Sequence, residues 1–64
     1  MEVAGLLRRA RVDAGLSQTD LAEQVGMTQS VISAYEHGHR VPNLESMVRL
    51  MLALSIDPRE LVEL

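Results

Sequence analysis

The sequence predicts an all-α fold, a compact bundle of about five short helices. Apolar residues recur three or four positions apart in successive segments, and no segment alternates apolar with polar residues as a half-buried strand does. The composition agrees, because 47% of the 64 residues are hydrophobic and only one is aromatic, so aliphatic side chains must fill the core. We expect a single domain over residues 1–64.

Glycines and a serine bound the first two helices. The first is predicted from Val3 to Ala14, and Gly15 supplies the left-handed residue that ends it. Ser17 is a favourable N-cap, so the second helix is expected to begin near Gln18 and to end at Gly26.

The third helix is short and clearly bounded. Thr28 is predicted to be its N-cap, and Gly38 closes it. Helical spacing places Val31, Ile32 and Tyr35 on one apolar face. The spacing therefore predicts a helix from about Thr28 to His37.

Two further helices are expected after Pro42, which makes the residue before it extended. Asn43 caps the fourth helix, whose apolar stripe is predicted to consist of Leu44, Met47, Val48, Met51 and Leu54. The tetrapeptide at residues 57–60, Asp-Pro-Arg-Glu, combines an N-cap, a first-turn proline and a capping-box acid, which predicts the start of a fifth helix.

The composition excludes several classes of protein. Without cysteine the chain has neither disulfides nor a zinc–thiolate site, and nothing indicates an oxidising compartment. The longest apolar run, Leu50 to Leu54, is far shorter than the roughly 20 residues that a bilayer-spanning helix needs. We therefore expect a cytoplasmic protein without membrane contact, cofactor or metal; His37 and His39 lack companions for a metal site.

Only a short link separates the second and third helices. Gly26, Met27 and Thr28 must turn the chain sharply, as in the helix-turn-helix motif of DNA-binding proteins. A matched apolar set is expected to fill the angle between the two helices: Leu21, Val25, Met27, Ile32 and Tyr35.

The motif resembles that of a known family. The residues that carry the resemblance are Ser17-Gln18, Leu21-Ala22, Gly26, Ile32, Glu36, Gly38 and Pro42. They are similar to those of the lambda-repressor-like, or Xre/Cro, helix-turn-helix proteins, and the resemblance covers essentially the whole chain. It implies that the third helix enters the major groove of DNA.

The outer face of the third helix carries small polar side chains. Ser30, Ser33, Ala34 and His37 lie opposite its apolar face, with Gln29 at the edge. Glutamine can bond an adenine edge twice, serine reaches several bases, and alanine can meet a thymine methyl group. From the residues alone, an ordinary solvated face explains them as well. The resemblance implies that Gln29, Ser30, Ser33 and Ala34 face bases.

The resemblance also implies phosphate contacts. Gln18 occupies the position where family members bond a phosphate and brace the reading helix, and a helix N-terminus favours an anion. Thr28 contacts phosphate or only caps its helix. His37, His39 and Arg40 follow the reading helix where family members hold the DNA backbone, although for both histidines a solvated loop is the alternative. Because histidine carries little charge at neutral pH, we expect modest affinity that strengthens on acidification.

Arg11 borders the buried stripe of the first helix, and Glu36 borders that of the third. We therefore expect a salt bridge that pins these helices together, as family members have. Its role is structural first, with phosphate contact by Arg11 secondary.

A second surface is predicted on the last two helices. Val48 and Leu52 form an exposed apolar pair one turn apart, and Leu61, Val62 and Leu64 add to it, although core filling explains some of them. The pair predicts a homodimer, and two-fold pairing predicts a palindromic operator with half-sites about 10 base pairs apart.

The charge of −3 is unusual for a DNA-binding domain and indicates a thin basic footprint. The main hypothesis is a sequence-specific transcriptional regulator, either a repressor or an antitoxin-type protein with a toxin or other protein partner. The alternative is a protein-interaction module that uses the same fold without reading DNA. An enzyme is not expected, because the sequence has no nucleophile–base set, paired carboxylate pocket or phosphate loop.

Overall fold

The computed structural model describes residues 2–63, and within them it contains five helices and no strands. In chain order they are α1 (Val3–Asp13), α2 (Gln18–Val25), α3 (Gln29–Glu36), α4 (Leu44–Leu54) and α5 (Arg59–Val62). The described chain measures 28 × 22 × 19 Å along its principal axes. The all-α fold with a helix-turn-helix at α2 and α3 is as predicted.

Local side-chain caps set the start of α2. The Ser17 hydroxyl accepts a hydrogen bond from the backbone N–H of Asp20 at 3.0 Å, and the Asp20 carboxylate accepts one from the N–H of Ser17 at 3.1 Å. This reciprocal pair satisfies two N–H groups that a helix end leaves without intrahelical partners. The hydrogen bonds from Ser17 lower the pKa of Asp20 below its usual value.

The predicted caps of the later helices are also present. The Thr28 hydroxyl accepts from the N–H of Val31 at 3.2 Å, and the Asn43 side chain accepts from the N–H of Ser46 at 2.8 Å. At the start of α5, the carboxylate of Glu60 accepts from the N–H of Asp57 at 2.9 Å. This last bond is the capping contact that the Asp-Pro-Arg-Glu tetrapeptide predicts.

The core lies where α1, α2, α3 and α4 meet. Its buried apolar residues are Leu6, Leu7, Leu21, Ala22, Val25, Ile32, Tyr35, Leu50, Leu54 and Ile56. α3 packs against both α1 and α2, and α4 packs against α2 and α1. Aliphatic side chains thus hold the helix pair at a fixed angle, with one tyrosine closing the core.

The predicted apolar stripe of α4 was wrong in part. Leu44, expected in the stripe, is 81% exposed, and Val48 is also exposed, whereas Leu50 is buried with only 1% exposed. The physical reason is that apolar residues surround most of this helix, so its sequence contains two apolar faces. Packing against α1 and α2 selects the face with Leu50 and Leu54.

None of the helices within residues 2–63 has the length and the apolar character that crossing a bilayer requires. Leu64, which was expected to add to the dimer surface, lies outside the described residues.

Substitution of two leucines of α4 tests which face of this helix is buried. Leu50→Ala removes a fully buried side chain and should lower the free energy of unfolding by about 2–5 kcal/mol. Leu52→Ala, on a side chain that is 78% exposed, should change it by less than about 0.5 kcal/mol. Urea unfolding followed by circular dichroism, at concentrations where the midpoint is independent of concentration, compares the two. Equal losses would contradict the assigned core face.

Acid should weaken the α2 cap. Because the folded-state pKa of Asp20 is depressed, its contribution to stability is present above the unfolded value, about 3.9, and is lost as pH falls through the lower folded value. Hydrogen bonds from Arg59 lower the pKa of Asp57 and act in the same direction. Stability should therefore fall with pH below about 4, and Asp20→Asn should reduce that slope in urea titrations at several pH values. An unchanged slope would show that the cap contributes nothing to it.

Candidate nucleic-acid interface

The link between α2 and α3 is a tight turn. Gly26 ends α2 in the left-handed conformation, with φ of 70°, which a residue with a side chain adopts only with strain. The N–H of Met27 then donates to the carbonyl of Ala22 at 2.9 Å, and Thr28 caps α3. Only residues 26–28 therefore separate the end of α2 from the start of α3.

This turn divides α3 into two sides. Ile32 and Tyr35 are buried against the other helices. On the opposite side Gln29 and Ser30 are exposed, and Ser33 and Ala34 are half-buried. We refer to the last four residues as the reading face.

A buried ion pair joins α1 to α3. The Arg11 guanidinium donates to both carboxylate oxygens of Glu36, at 2.7 Å from Nε and 3.0 Å from Nη2. The Glu36 side chain is only 1% exposed and that of Arg11 12%. Nη1 of Arg11 donates to the carbonyl of Leu16 at 2.7 Å, so the pair also fixes the chain between α1 and α2.

The bond to Glu36 and its charge raise the pKa of Arg11 further above its usual value, although burial opposes this effect. The bonds to Glu36 and to the carbonyl of Leu16 leave few polar atoms of the pair without hydrogen bonds. These hydrogen bonds offset the free-energy cost of removing the two charges from water, which is otherwise large for a buried ion pair.

Two glutamines extend the ion pair to the reading face. Nε2 of Gln18 donates to Oε1 of Glu36 at 3.2 Å, and Nε2 of Gln29 donates to Oε1 of Gln18 at 2.6 Å. Gln18, which is expected to bond a phosphate and to brace α3, contacts α3 through these two hydrogen bonds. No sequence pattern predicted the direct bond between the two glutamines, which lie 11 residues apart and join across the turn.

The residues after α3 form a small polar cluster. The His37 Nδ1–H donates to the backbone carbonyl of Ser33 at 2.8 Å, because a carbonyl can only accept. The His37 ring stacks on His39 with centroids 5.9 Å apart. The Arg40 guanidinium carbon lies 5.9 Å from the centre of the Tyr35 ring. All three loop side chains, His37, His39 and Arg40, are exposed.

A separate apolar face lies on α4. Leu44, Val48 and Leu52, four residues apart, are all exposed, with 45% of Val48 and 78% of Leu52 accessible. We call these three the α4 face. The expectation that Leu44 lies in the core stripe is wrong, and its spacing of four residues from Val48 is the sequence signal for this exposed face. Leu61 instead is half-buried and packs against the core.

Known proteins with similar sequences contain the same motif. A family model described as helix-turn-helix matches residues 7–61. Multiprotein-bridging factor 1c of Arabidopsis thaliana is 33% identical over 58 residues, which cover 91% of this chain and 39% of that protein. Endothelial differentiation-related factor 1 of Rattus norvegicus is 32% identical, covering 92% and 40%. The chain thus spans about two fifths of the length of these curated relatives.

Two solved structures share the fold. The restriction-modification controller protein C.AhdI from Aeromonas hydrophila matches with a TM-score of 0.84 and 39% identity, over 92% of this chain and 86% of that one. A mutant of the restriction-modification controller protein C.Esp1396I has the same TM-score of 0.84, over 97% and 80% of the two chains. Its identity is 24%, so this second likeness concerns the fold alone.

Removing one partner tests the ion pair. Arg11→Met leaves the buried Glu36 carboxylate without its counter-charge and should destabilise the protein by about 3–5 kcal/mol in urea unfolding. The double variant Arg11→Met, Glu36→Leu removes both charges and should recover much of that loss. If the two changes were simply additive, the pair would have no coupling energy, and its proposed role in fixing α3 would be wrong.

Proposed function

The chain belongs to the lambda-repressor-like helix-turn-helix family, and from this premise we propose that it binds double-stranded DNA sequence-specifically as a transcriptional regulator. In this proposal α3 enters the major groove and the reading face contacts base edges. The observation that carries the proposal is the hydrogen-bonded path from the buried Arg11–Glu36 pair through Gln18 to Gln29.

The path leaves suitable atoms of Gln29 for a base. One N–H of its amide is used by Gln18, so the second N–H and Oε1 remain for a contact with N7 and the N6 amino group of adenine. The bond to Gln18 also selects the orientation of the amide, which reduces the entropy lost on binding. Ser30, Ser33 and Ala34 would contact neighbouring bases along the same groove.

Phosphate contacts would set the register of α3. The amide of Gln18 has one N–H left after its bond to Glu36, and it lies in the first turn of α2, where the helix dipole attracts an anion. Thr28, His37, His39 and Arg40 would contact the backbone at the two ends of the reading helix. Asp20, in the same turn as Gln18, opposes a phosphate there, and this supports the expectation of modest affinity.

We propose that two copies pair through the α4 face. Leu44, Val48 and Leu52 expose a continuous apolar stripe that water solvates poorly. A palindromic operator would require each α3 to lie about 17 Å from the two-fold axis, half of the roughly 34 Å between half-sites. That distance fits within a body 28 Å long, and the operator would then be palindromic.

The proposed action is binding rather than turnover, as a repressor that occupies its operator or as an antitoxin-type regulator with a toxin partner. The second candidate is a protein-interaction module without specific DNA binding. The net charge of −3 favours this interaction module. The similarity to multiprotein-bridging factor 1c, whose name describes a bridge between proteins, favours it as well. The ordered glutamine pair favours DNA, because a bridging surface does not require it.

Selection from random duplexes tests the proposal. The wild type should enrich a palindrome, and Gln29→Ala with Ser33→Ala should lose most of that preference, since each base contact contributes about 1–3 kcal/mol of discrimination. Weak, salt-dependent binding should persist in the variant, because phosphate contacts carry it. Gln24→Ala, an exposed glutamine on α2 outside the reading face, is the control and should select the same site. Enrichment of no sequence by the wild type at low salt would favour the interaction module.

Leu52→Glu tests pairing. The substitution places a charge in the proposed apolar contact, so the variant should sediment as a monomer at concentrations where the wild type is a dimer, and its affinity for the palindrome should fall at least tenfold. Val12→Glu changes an exposed valine of α1 in the same way and should leave the dimer intact. A monomeric wild type, or equal loss in both variants, would contradict pairing through the α4 face.

A further inference from the structure

The outer face of α1 carries two arginines that the fold does not use. Arg11, Arg49 and Arg59 each form an ion pair with a carboxylate at 2.7 Å. Within residues 2–63, no carboxylate is within ion-pair distance of Arg8 or Arg9, and both side chains are exposed. They place two positive charges on the outer face of α1, where the carboxylates of Glu2 and Asp13 also lie.

The same face has a notch at Gly5. Residues at positions 5, 8, 9 and 12 recur at helical spacing, on the side of α1 opposite its buried leucines. With Asp13 they line a surface concavity of about 390 Å³. Val12, at its far end, is 55% exposed.

Internal packing does not require the glycine. Glycine inside a helix is less favourable than alanine, and Gly5 lies in the first turns of α1. A Cβ atom at this position would meet only the Glu2 side chain, at an ordinary contact distance of 3.5 Å. The missing side chain therefore opens space outward, between Arg8, Arg9 and Val12, and not toward the core.

We propose that this surface docks an acidic segment of another protein, one that presents an apolar side chain flanked by carboxylates. The apolar side chain would enter the notch at Gly5 and contact Val12, and the carboxylates would accept bidentate hydrogen bonds from Arg8 and Arg9. Arginine with an apolar centre is a combination enriched at protein interfaces. This surface is distinct from the reading face and from the α4 face.

A DNA backbone fits the surface less well. Phosphates would gain from the two guanidinium groups, but the notch and Val12 would offer them nothing, and the carboxylate of Asp13 opposes a phosphate and a carboxylate alike. The apolar part of the surface, and not its charge, thus favours a protein segment that has both carboxylates and apolar side chains.

The test uses a short synthetic peptide that repeats glutamate around leucine, titrated into isotope-labelled protein and followed by NMR. Amide shifts should change at Gly5, Arg8, Arg9 and Val12, and a peptide with glutamine in place of glutamate should bind at least tenfold more weakly. No saturable binding of the acidic peptide, or equal binding of both peptides, would overturn the proposal. If a random-sequence duplex shifts these amides and the peptide does not, the occupant is DNA and the proposal fails.

Matched variants distinguish docking at this surface from a general effect of the protein's positive charges on the peptide. Arg8→Gln and Arg9→Gln should each weaken peptide binding several-fold, whereas Arg59→Gln, which removes the same charge elsewhere, should not. Gly5→Ala should raise the unfolding midpoint, because alanine favours the helix. The same substitution should lower the affinity for the peptide, because the added methyl group fills the notch. Equal weakening by Arg59→Gln, or full binding by Gly5→Ala, would overturn the docking geometry.

Discussion

The buried carboxylate of Glu36 is the constraint on which the other contacts of α3 depend. A charge in this position is unfavourable unless hydrogen bonds replace its water, and Arg11 and Gln18 supply them. Because these partners come from α1 and α2, satisfying one group on α3 sets the position of three helices. The apolar core determines that α2 and α3 pack together, and the directional bonds to Glu36 restrict how they are oriented. Gln29 is ordered as a consequence, since its own partner, Gln18, is already held.

The polar network and the apolar surfaces lie on different helices. α1, α2 and α3 share the network, whereas α4 has one buried face around Leu50 and one exposed face around Leu52. A substitution at the α4 face can therefore alter the proposed pairing without disturbing the bonds between Gln18, Gln29 and Glu36. The two regions communicate through packing of α4 on α2, which is short-range and apolar. Such a division is what the proposed function requires, in which affinity depends on pairing and sequence preference depends on α3.

The distribution of arginines explains how a chain of net charge −3 can have local positive surfaces. Three arginines are neutralised by acids, and Arg40 lies against Tyr35 at the end of the reading helix. Arg8 and Arg9 remain on α1. Net charge thus describes the long-range field, while contacts depend on which charges lack an internal partner.

The sequence by itself determined the helices and the turn between α2 and α3. Those features depend on local contacts, such as the reciprocal bonds of Ser17 and Asp20 or the left-handed Gly26, whose partners are three or four residues away. It also indicated the pair Arg11 and Glu36, since both border apolar stripes. Only the tertiary structure decided which face of α4 is buried, because that helix is apolar on most sides and periodicity does not choose between Leu44 and Leu50. The bond from Gln29 to Gln18 was likewise decided there, since it depends on the angle of the turn and on Glu36 beyond it, which no local pattern encodes.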